Sequence, residues 1–165
     1  MCNPHHHHDT AEECHRDLLS NFYEALATRD ATTVHRLLAP YVEWWFHGPP
    51  SCNRLMGLLT GSTTTAFDDY RFFTFDPLLV VSIGSVVVAE GYFPDNRNVT
   101  WVHALTVVDG IITQVREYFN TSVTVARFDK STNVHVAPQG GDNCQCVWQS
   151  KLTDYKSMPS LLLAI

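Results

Sequence analysis

The sequence predicts an α+β domain in which helices come first and a long, mainly antiparallel sheet follows. Apolar residues recur at helical spacing in the first sixty or so positions, whereas later segments are extended runs rich in Val, Ile, Thr and aromatic side chains. The pair Asp109-Gly110 lies between two such runs. Both residue types tolerate a positive φ, so the pair is typical of a two-residue hairpin turn. Helices followed by consecutive strands are characteristic of the α+β class.

The composition fits one globular domain. The chain has 165 residues, 45% of them hydrophobic, which is enough to build a core. Its formal charge is −6 and its 11 Lys and Arg residues are scattered, which excludes nucleic acid and anionic membranes as partners. No run approaches the ~20 apolar residues of a membrane span, and the N-terminus has no apolar signal region. We therefore expect a cytoplasmic protein without direct membrane insertion.

The N-terminal part is expected to hold three helices. Over residues 11–28, apolar side chains recur every three or four positions, which indicates an amphipathic helix. Asp30 is a favourable cap for a second helix over residues 31–39, which Pro40 ends. A third helix is expected over residues 51–59, before the next glycine.

Extended segments alternate with turn residues along most of the remaining chain. Residues 41–47 are aromatic and β-branched, which predicts a strand. Four further extended runs are separated by Pro77, by a five-residue turn and by the Asp109-Gly110 pair. They span residues 69–76, 78–93, 99–108 and 111–127.

Three regions are expected along the chain: a disordered tail over residues 1–12, one domain over residues 13–127, and an irregular C-terminal extension over residues 128–165 that packs on the domain. The run His5-His6-His7-His8 could bind a metal, but nothing fixes a ligand geometry there, so we expect no metal site. The 5 cysteines are an odd number at irregular spacing, and we expect them to be reduced. The chain has no Gly-rich phosphate loop, and no cofactor is expected.

Specific strings in the sequence resemble a known group of proteins. The segment Asp109-Gly110-Ile111 followed by Arg116-Glu117-Tyr118-Phe119-Asn120 resembles the last hairpin of the nuclear transport factor 2-like superfamily, which includes SnoaL-like and ketosteroid isomerase-like proteins. Trp44-Trp45-Phe46-His47-Gly48-Pro49-Pro50 and Trp101-Val102-His103-Ala104 are similar to the plant wound-induced protein family. This resemblance implies a cone in which three N-terminal helices pack on a strongly curved sheet that encloses an apolar pocket.

Alternation along the strands predicts which side chains enter that pocket. The last strand is similar to that of limonene epoxide hydrolase, which implies that Glu117 points inward. We expect His103 and Glu90 beside it on the neighbouring strands, where cross-strand residues lie ~5 Å apart. Two carboxyls in a low dielectric do not both ionise, so one would act as acid and the other as base, with His103 relaying the proton. The alternative is that Glu90 and Glu117 face solvent at opposite ends of the sheet.

The ligand-binding wall is expected to be mainly aromatic. An aromatic cavity suits a bulky apolar molecule, although aromatic stripes are more often plain core. The predicted wall consists of Trp44, Phe46, Tyr92, Val99, Trp101, Leu105, Val115 and Phe119.

These residues predict that the protein binds a bulky apolar plant metabolite, terpenoid- or polyketide-like, and promotes an acid/base step such as isomerisation, epoxide opening or cyclisation. Limonene epoxide hydrolase also needs an arginine and a second aspartate on a central strand, and residues 89–92 lack them. Two alternatives stay open. One is a non-catalytic carrier or accessory protein that assists an oxidase, such as a membrane-bound one. The other is a protein-interaction module. We expect a homodimer whether the protein is an enzyme or a carrier.

Overall fold

The computed structural model describes residues 9–48, 53, 55–60, 74–94, 96–119, 124–128, 134–136, 146–150 and 161–164. Within these residues, three helices precede most of the strands: α1 (Asp9–Ala27), α2 (Ala31–Leu37) and α3 (Leu55–Thr60). The strands are β1 (Leu38–His47), β2 (Leu79–Ile83), β3 (Val86–Phe93), β4 (Asn96–Val108), β5 (Ile111–Phe119), β6 (Thr124–Phe128), β7 (Val134–Val136), β8 (Cys146–Gln149) and β9 (Leu161–Ala164). The prediction of an α+β fold is confirmed.

The predicted capping of the second helix is confirmed. The Asp30 carboxylate accepts a hydrogen bond from the Thr33 amide at 3.0 Å, which satisfies a backbone donor that the first turn leaves free. The helix ends at Leu37, earlier than predicted, because Leu38 has extended backbone angles (φ −97°, ψ 143°) and begins β1 directly. The chain therefore passes from helix to strand without a loop.

The first sheet is mixed and curved, with strand order β1-β5-β4-β3-β2. β1 pairs with β5 in parallel, and the other neighbours are antiparallel. The hairpin predicted at Asp109-Gly110 is confirmed, since φ is 51° at Asp109 and 75° at Gly110. This turn fixes the register of β4 against β5, the two strands at the centre of the candidate site.

The run predicted over residues 78–93 is two strands, not one. Gly84, with a φ of 58°, and Ser85 form a two-residue turn between β2 and β3. The run predicted over 111–127 contains β5 and most of β6, and residues 120–123 between them lie outside the described residues. The strand predicted over 69–76 is not present in its described part, because residues 74–76 have no regular structure, and residues 69–73 lie outside the described residues.

The two ends of the chain also differ from the predictions. α1 begins at Asp9, inside the tail predicted over residues 1–12, and residues 1–8 lie outside the described residues. The extension predicted to be irregular contributes β7, β8 and β9, which join β6 in a second sheet of order β7-β6-β9-β8. Cys14 is disulfide-bonded, so the expectation of reduced thiols is wrong for this residue.

Each face of the first sheet has its own core. The face that packs against the helices is called the inner face; it is covered by apolar residues of α1, α2 and α3, among them Phe22, Leu26 and Val34. The opposite, outer face carries a smaller cluster that Trp148 of β8 covers. That cluster consists of Val88, Val102, Ala104, Tyr118 and Trp148. The C-terminal sheet therefore closes part of the outer face, and the inner face forms the interior of the cone.

Candidate functional site

Three polar side chains meet inside the apolar inner core. His103 of β4 lies directly opposite Glu117 of β5, and its Nε2 is 2.8 Å from Glu117 Oε2. Its Nδ1 is 2.9 Å from the hydroxyl of Tyr23, which reaches in from α1. His103 and Glu117 are 0% exposed and Tyr23 is 6% exposed. We call Tyr23, His103 and Glu117 the triad; they form one continuous hydrogen-bond chain.

Burial sets the acidity of both ends of the triad. It raises the pKa of Glu117, and the hydrogen bond and charge of His103 offset only part of that rise. Burial also raises the pKa of Tyr23 well above 10.0, and the nearby Glu117 charge raises it further. Within the described residues, Glu117 Oε1 is buried without a hydrogen-bond partner. The interior therefore favours a neutral carboxyl and a neutral phenol at the two ends of the chain.

Two protonation states of the triad, which differ by one proton, fit the observed geometry. In one arrangement Nε2–H donates to an ionised Glu117 and Nδ1 accepts from the Tyr23 hydroxyl. In the other, a protonated Glu117 donates to Nε2 and Nδ1–H donates to the Tyr23 oxygen. Both arrangements satisfy the two observed hydrogen bonds, so the triad can pass a proton in either direction.

Most of the predicted ligand-binding wall lies where it was expected. Trp44 and Phe46 of β1 lie opposite Val115 and Glu117, so they share the inner face with the triad. The remaining inner-face members of the predicted wall are Val99, Trp101, Leu105, Val115 and Phe119. Their placement is established, and their role in binding a ligand stays a prediction.

Glu90 and Tyr92 are not on the face predicted for them. The register opposes Ala89 to His103 and Glu90 to Val102, so Glu90 points to the outer face. There its carboxylate accepts a 2.5 Å hydrogen bond from the Ser150 hydroxyl. Tyr92 lies opposite Thr100 and shares the face of Glu90. Side chains along a strand alternate between the two faces of the sheet. The pairing of β3 with β4 differs by one position from the predicted pairing, so both side chains lie on the face opposite the site.

Tyr23 was not predicted as a site residue. In the sequence it belongs to the apolar stripe of α1, and nothing there separates it from its core neighbours Leu19 and Phe22. A weak signal was available, because a buried tyrosine hydroxyl needs a polar partner and the helix itself offers none to its side chain. The partner is His103, which lies 80 positions further along the chain.

Two open cavities border this region. One, of about 450 Å³, lies between α1 and residues 74–80 and is lined by Tyr23 and Phe75 among others. The second, of about 310 Å³, is lined by Tyr92, Phe93 and the same irregular segment. Thr74 and Asp76 border both cavities. Tyr23 therefore contacts the buried His103 and also borders an open groove.

Neither a metal centre nor a membrane-spanning helix is found in the described part of the chain. No group of three or more His, Cys, Asp and Glu side chains there could hold a metal ion. The histidine run at residues 5–8 lies outside the described residues. Among those described, no helix is both long and apolar enough to cross a bilayer.

Glu117 is expected to make the protein less stable as the pH rises. Its pKa lies above 4.5 in the folded protein, so the folded state keeps a proton that the unfolded chain has lost. The contribution of Glu117 to the free energy of unfolding is thus fully present below pH 4.5 and falls as the pH rises through the folded-state pKa. Urea denaturation of the wild type and of Glu117→Gln from about pH 4 to pH 8 measures this difference. A difference that does not change with pH would contradict the expectation.

Helices packed on the inner face of a curved mixed sheet, around a buried polar triad, form an α+β domain. The chain belongs to the family described as Wound-induced protein WI12, whose model matches residues 56–165. The resemblance of the sequence to the plant wound-induced protein family is therefore confirmed.

Two relatives support this placement, and solved structures of other proteins are similar to the chain at lower identity. "Wound-induced protein 1" of Solanum tuberosum is 48% identical over 112 residues, covering 67% of this chain and 100% of the relative. "Senescence associated gene 20" of Arabidopsis thaliana is 41% identical over 116 residues, with the same coverage of both chains. A structure of an NTF2-like protein from Burkholderia xenovorans LB400 is 19% identical, with a TM-score of 0.46, and the match covers 66% of this chain and 91% of that one.

Proposed function

We propose that this protein binds a bulky apolar plant metabolite, terpenoid- or polyketide-like, and moves a proton on it through the triad without a cofactor. The observation that carries the proposal is the continuous hydrogen-bond chain from Tyr23 through His103 to Glu117 inside an otherwise apolar interior. A buried ionisable pair is poor at stabilising a fold, because apolar residues of similar volume serve as well or better. Packing alone therefore does not explain why these buried residues are polar, whereas proton transfer does.

The triad can act first as an acid and then as a base. With Glu117 protonated, Tyr23 donates its proton to a substrate oxygen, His103 passes the Nδ1 proton to Tyr23, and Glu117 protonates Nε2. The carboxylate that remains favours the reverse transfer, which takes a proton from the substrate. One proton moves at each hydrogen bond, so charge is displaced only between Glu117 and the substrate. Such a device suits the isomerisation of an unsaturated ketone, the opening of an epoxide or a cyclisation.

The groove beside Tyr23 is the entrance that this proposal needs. Its lining combines apolar residues such as Leu19 and Phe75 with charged ones such as Arg16. An apolar body could lie against the first group while an oxygen reaches the Tyr23 hydroxyl. The names of the relatives place them in wounding and senescence, and we propose that the metabolite belongs to those responses. A homodimer and an oxidase as a functional partner stay predictions.

The test is turnover of oxygen-bearing apolar probes by the wild type and by Tyr23→Phe. Two probes are 5-androstene-3,17-dione, whose isomerisation yields a conjugated enone, and 5-nitrobenzisoxazole, which reports proton removal by absorbance. The wild type is expected to accelerate at least one of them. Tyr23→Phe keeps the ring and removes the hydroxyl, so kcat should fall about 10²- to 10⁴-fold with KM little changed.

Tyr41→Phe is the matched control, because Tyr41 lies on β1, is 77% exposed and does not belong to the triad. It should leave kcat unchanged. If the wild type binds the probes and components of a plant extract but converts none of them, the protein is a carrier and the catalytic proposal fails. Equal kcat values for the wild type and Tyr23→Phe would remove Tyr23 from the mechanism.

A further inference from the structure

Phe75 occupies the centre of the candidate site. Its ring centroid is 4.6 Å from that of His103, 5.1 Å from Trp101 and 5.6 Å from Tyr23. Phe119 and Phe93 complete the surroundings at 6.3 and 6.5 Å. The interior that the sequence predicted as a pocket is therefore filled, at its polar end, by a side chain of the protein itself.

The surroundings of Phe75 are those of a flat aromatic ring. Trp101, Phe119 and Phe93 meet it edge-on, with interplanar angles of 83°, 70° and 66°. Edge-to-face contacts of this kind depend on the quadrupole of an unsaturated ring, and a saturated ring of the same size does not reproduce them. The five neighbouring rings thus form a cage that selects one planar ring.

Phe75 is not carried by a helix or a strand. Residues 74–77 have no regular secondary structure. The backbone is next held to β3 at Leu78, whose amide donates a 2.8 Å hydrogen bond to the Glu90 carbonyl. The segment rests on β3 at Gly91, where an added Cβ would lie 2.7 Å from both the Asp76 carbonyl oxygen and the Trp101 ring. Glycine at that position permits the close approach that brings Phe75 into the cage.

Space for a displaced ring lies beside the segment. Thr74 and Asp76, the neighbours of Phe75 in the chain, border both the cavity of about 450 Å³ and that of about 310 Å³. Withdrawal of Phe75 toward either cavity would open the cage to the groove beside Tyr23. A ring would fill the cage both before and after the exchange, first that of Phe75 and then that of the ligand. The exchange would therefore lose few packing contacts.

We propose that Phe75 is a displaceable plug and the specificity-determining residue of the site: a planar six-membered ring of the ligand replaces the Phe75 ring against His103 and Trp101. The inference rests on the proposed function in taking the interior as a ligand site. It adds that the site prefers a ligand with an aromatic or fully unsaturated ring over one with a saturated skeleton.

The experiment measures the binding of 2-naphthol by calorimetry to the full-length wild type, Phe75→Ala and Phe75→Leu. Removal of the plug leaves an apolar cavity, and such cavities bind flat aromatic molecules. The Kd of 2-naphthol for Phe75→Ala should be at least about tenfold lower than for the wild type. Phe75→Leu should show a smaller change in the same direction. In the wild type, saturating 2-naphthol should accelerate hydrogen exchange at the Phe75 and Asp76 amides and leave that of β4 unchanged.

Phe22→Ala is the matched control, because Phe22 is a second buried phenylalanine whose ring centroid lies 5.9 Å from that of Tyr23. It should tighten the binding of 2-naphthol clearly less than Phe75→Ala does. Decahydro-2-naphthol, the saturated analogue, should gain less than about threefold on Phe75→Ala. Circular dichroism checks the fold, and if Phe75→Ala does not fold, Phe75→Leu alone decides.

The proposal is overturned if the folded Phe75 variants bind 2-naphthol no better than the wild type. It is equally overturned if Phe22→Ala or the saturated probe shows the same gain, because the effect would then be that of any cavity. Binding is read without turnover, so its result does not depend on a proton being moved. A failure of the acid/base mechanism therefore leaves this result intact, and the two proposals can fail separately.

Discussion

Glu117→Gln is expected to reduce the turnover of a responsive probe at least about a thousandfold while the protein stays folded. The amide keeps the shape of the side chain and can still accept a hydrogen bond from His103, which lies 2.8 Å away. It cannot release or take up a proton, so the inner end of the triad is lost. The free energy of unfolding at neutral pH should stay the same or rise, because burial raises the pKa of Glu117 by disfavouring its charged form, and glutamine does not ionise.

The measurement is kcat and KM for the wild type and Glu117→Gln with the probe that the wild type converts. Glu90→Gln is a demanding control, since Glu90 is also a buried carboxyl in the same sheet but points to the outer face. Its turnover should stay within about twofold of the wild type. If Glu117→Gln retained full turnover, Glu117 would be a structural residue and the relay would end at His103.

Local sequence patterns predicted the elements well where the signal is contained within a few residues. The cap at Asp30 and the hairpin at Asp109-Gly110 depend on backbone groups two or three positions away. The placement of Glu117 beside His103 follows from that hairpin, because its turn sets the register of β4 and β5. Each of these inferences needed only short-range chemistry and the alternation of a strand.

The missing parts of the site depend on distant contacts. Glu90 was misplaced because the β3–β4 hairpin has an irregular register near its turn, where Phe93 pairs with Asn96 and Tyr92 with Thr100. Tyr23 joins the triad through helix–sheet packing, which no local pattern encodes. Phe75 lies on a segment without periodicity, so its place in the cage could not be inferred from spacing.

The C-terminal strands were missed for a related reason. β7, β8 and β9 are 3 to 4 residues long, which is too short for alternation to stand out from chance. Their order in the sheet also differs from their order in the chain, because β9 lies between β6 and β8. The local sequence of a strand that depends on such pairing gives only a weak strand signal, because its stabilising contacts come from residues distant in the chain.

His103→Leu is expected to produce the largest loss of stability among the substitutions considered. It leaves Glu117 and the Tyr23 hydroxyl buried without the partner that each has now. Removal of one member of a buried pair costs about 3–5 kcal/mol, because the remaining charge or dipole is uncompensated. Urea denaturation at pH 7 should show a decrease of this size in the free energy of unfolding.

The double variant His103→Leu/Glu117→Leu separates a catalytic triad from a structural one. Replacement of a whole buried pair by apolar residues is often neutral or stabilising, so the double variant should recover at least about half of the stability that His103→Leu loses. It should nevertheless have no turnover, since the proton path is gone. Stability restored without activity would mean that the triad is retained for chemistry. If the double variant were as unstable as His103→Leu, the hydrogen-bond chain would be required for folding. Stability alone would then explain the buried polar residues, without a substrate.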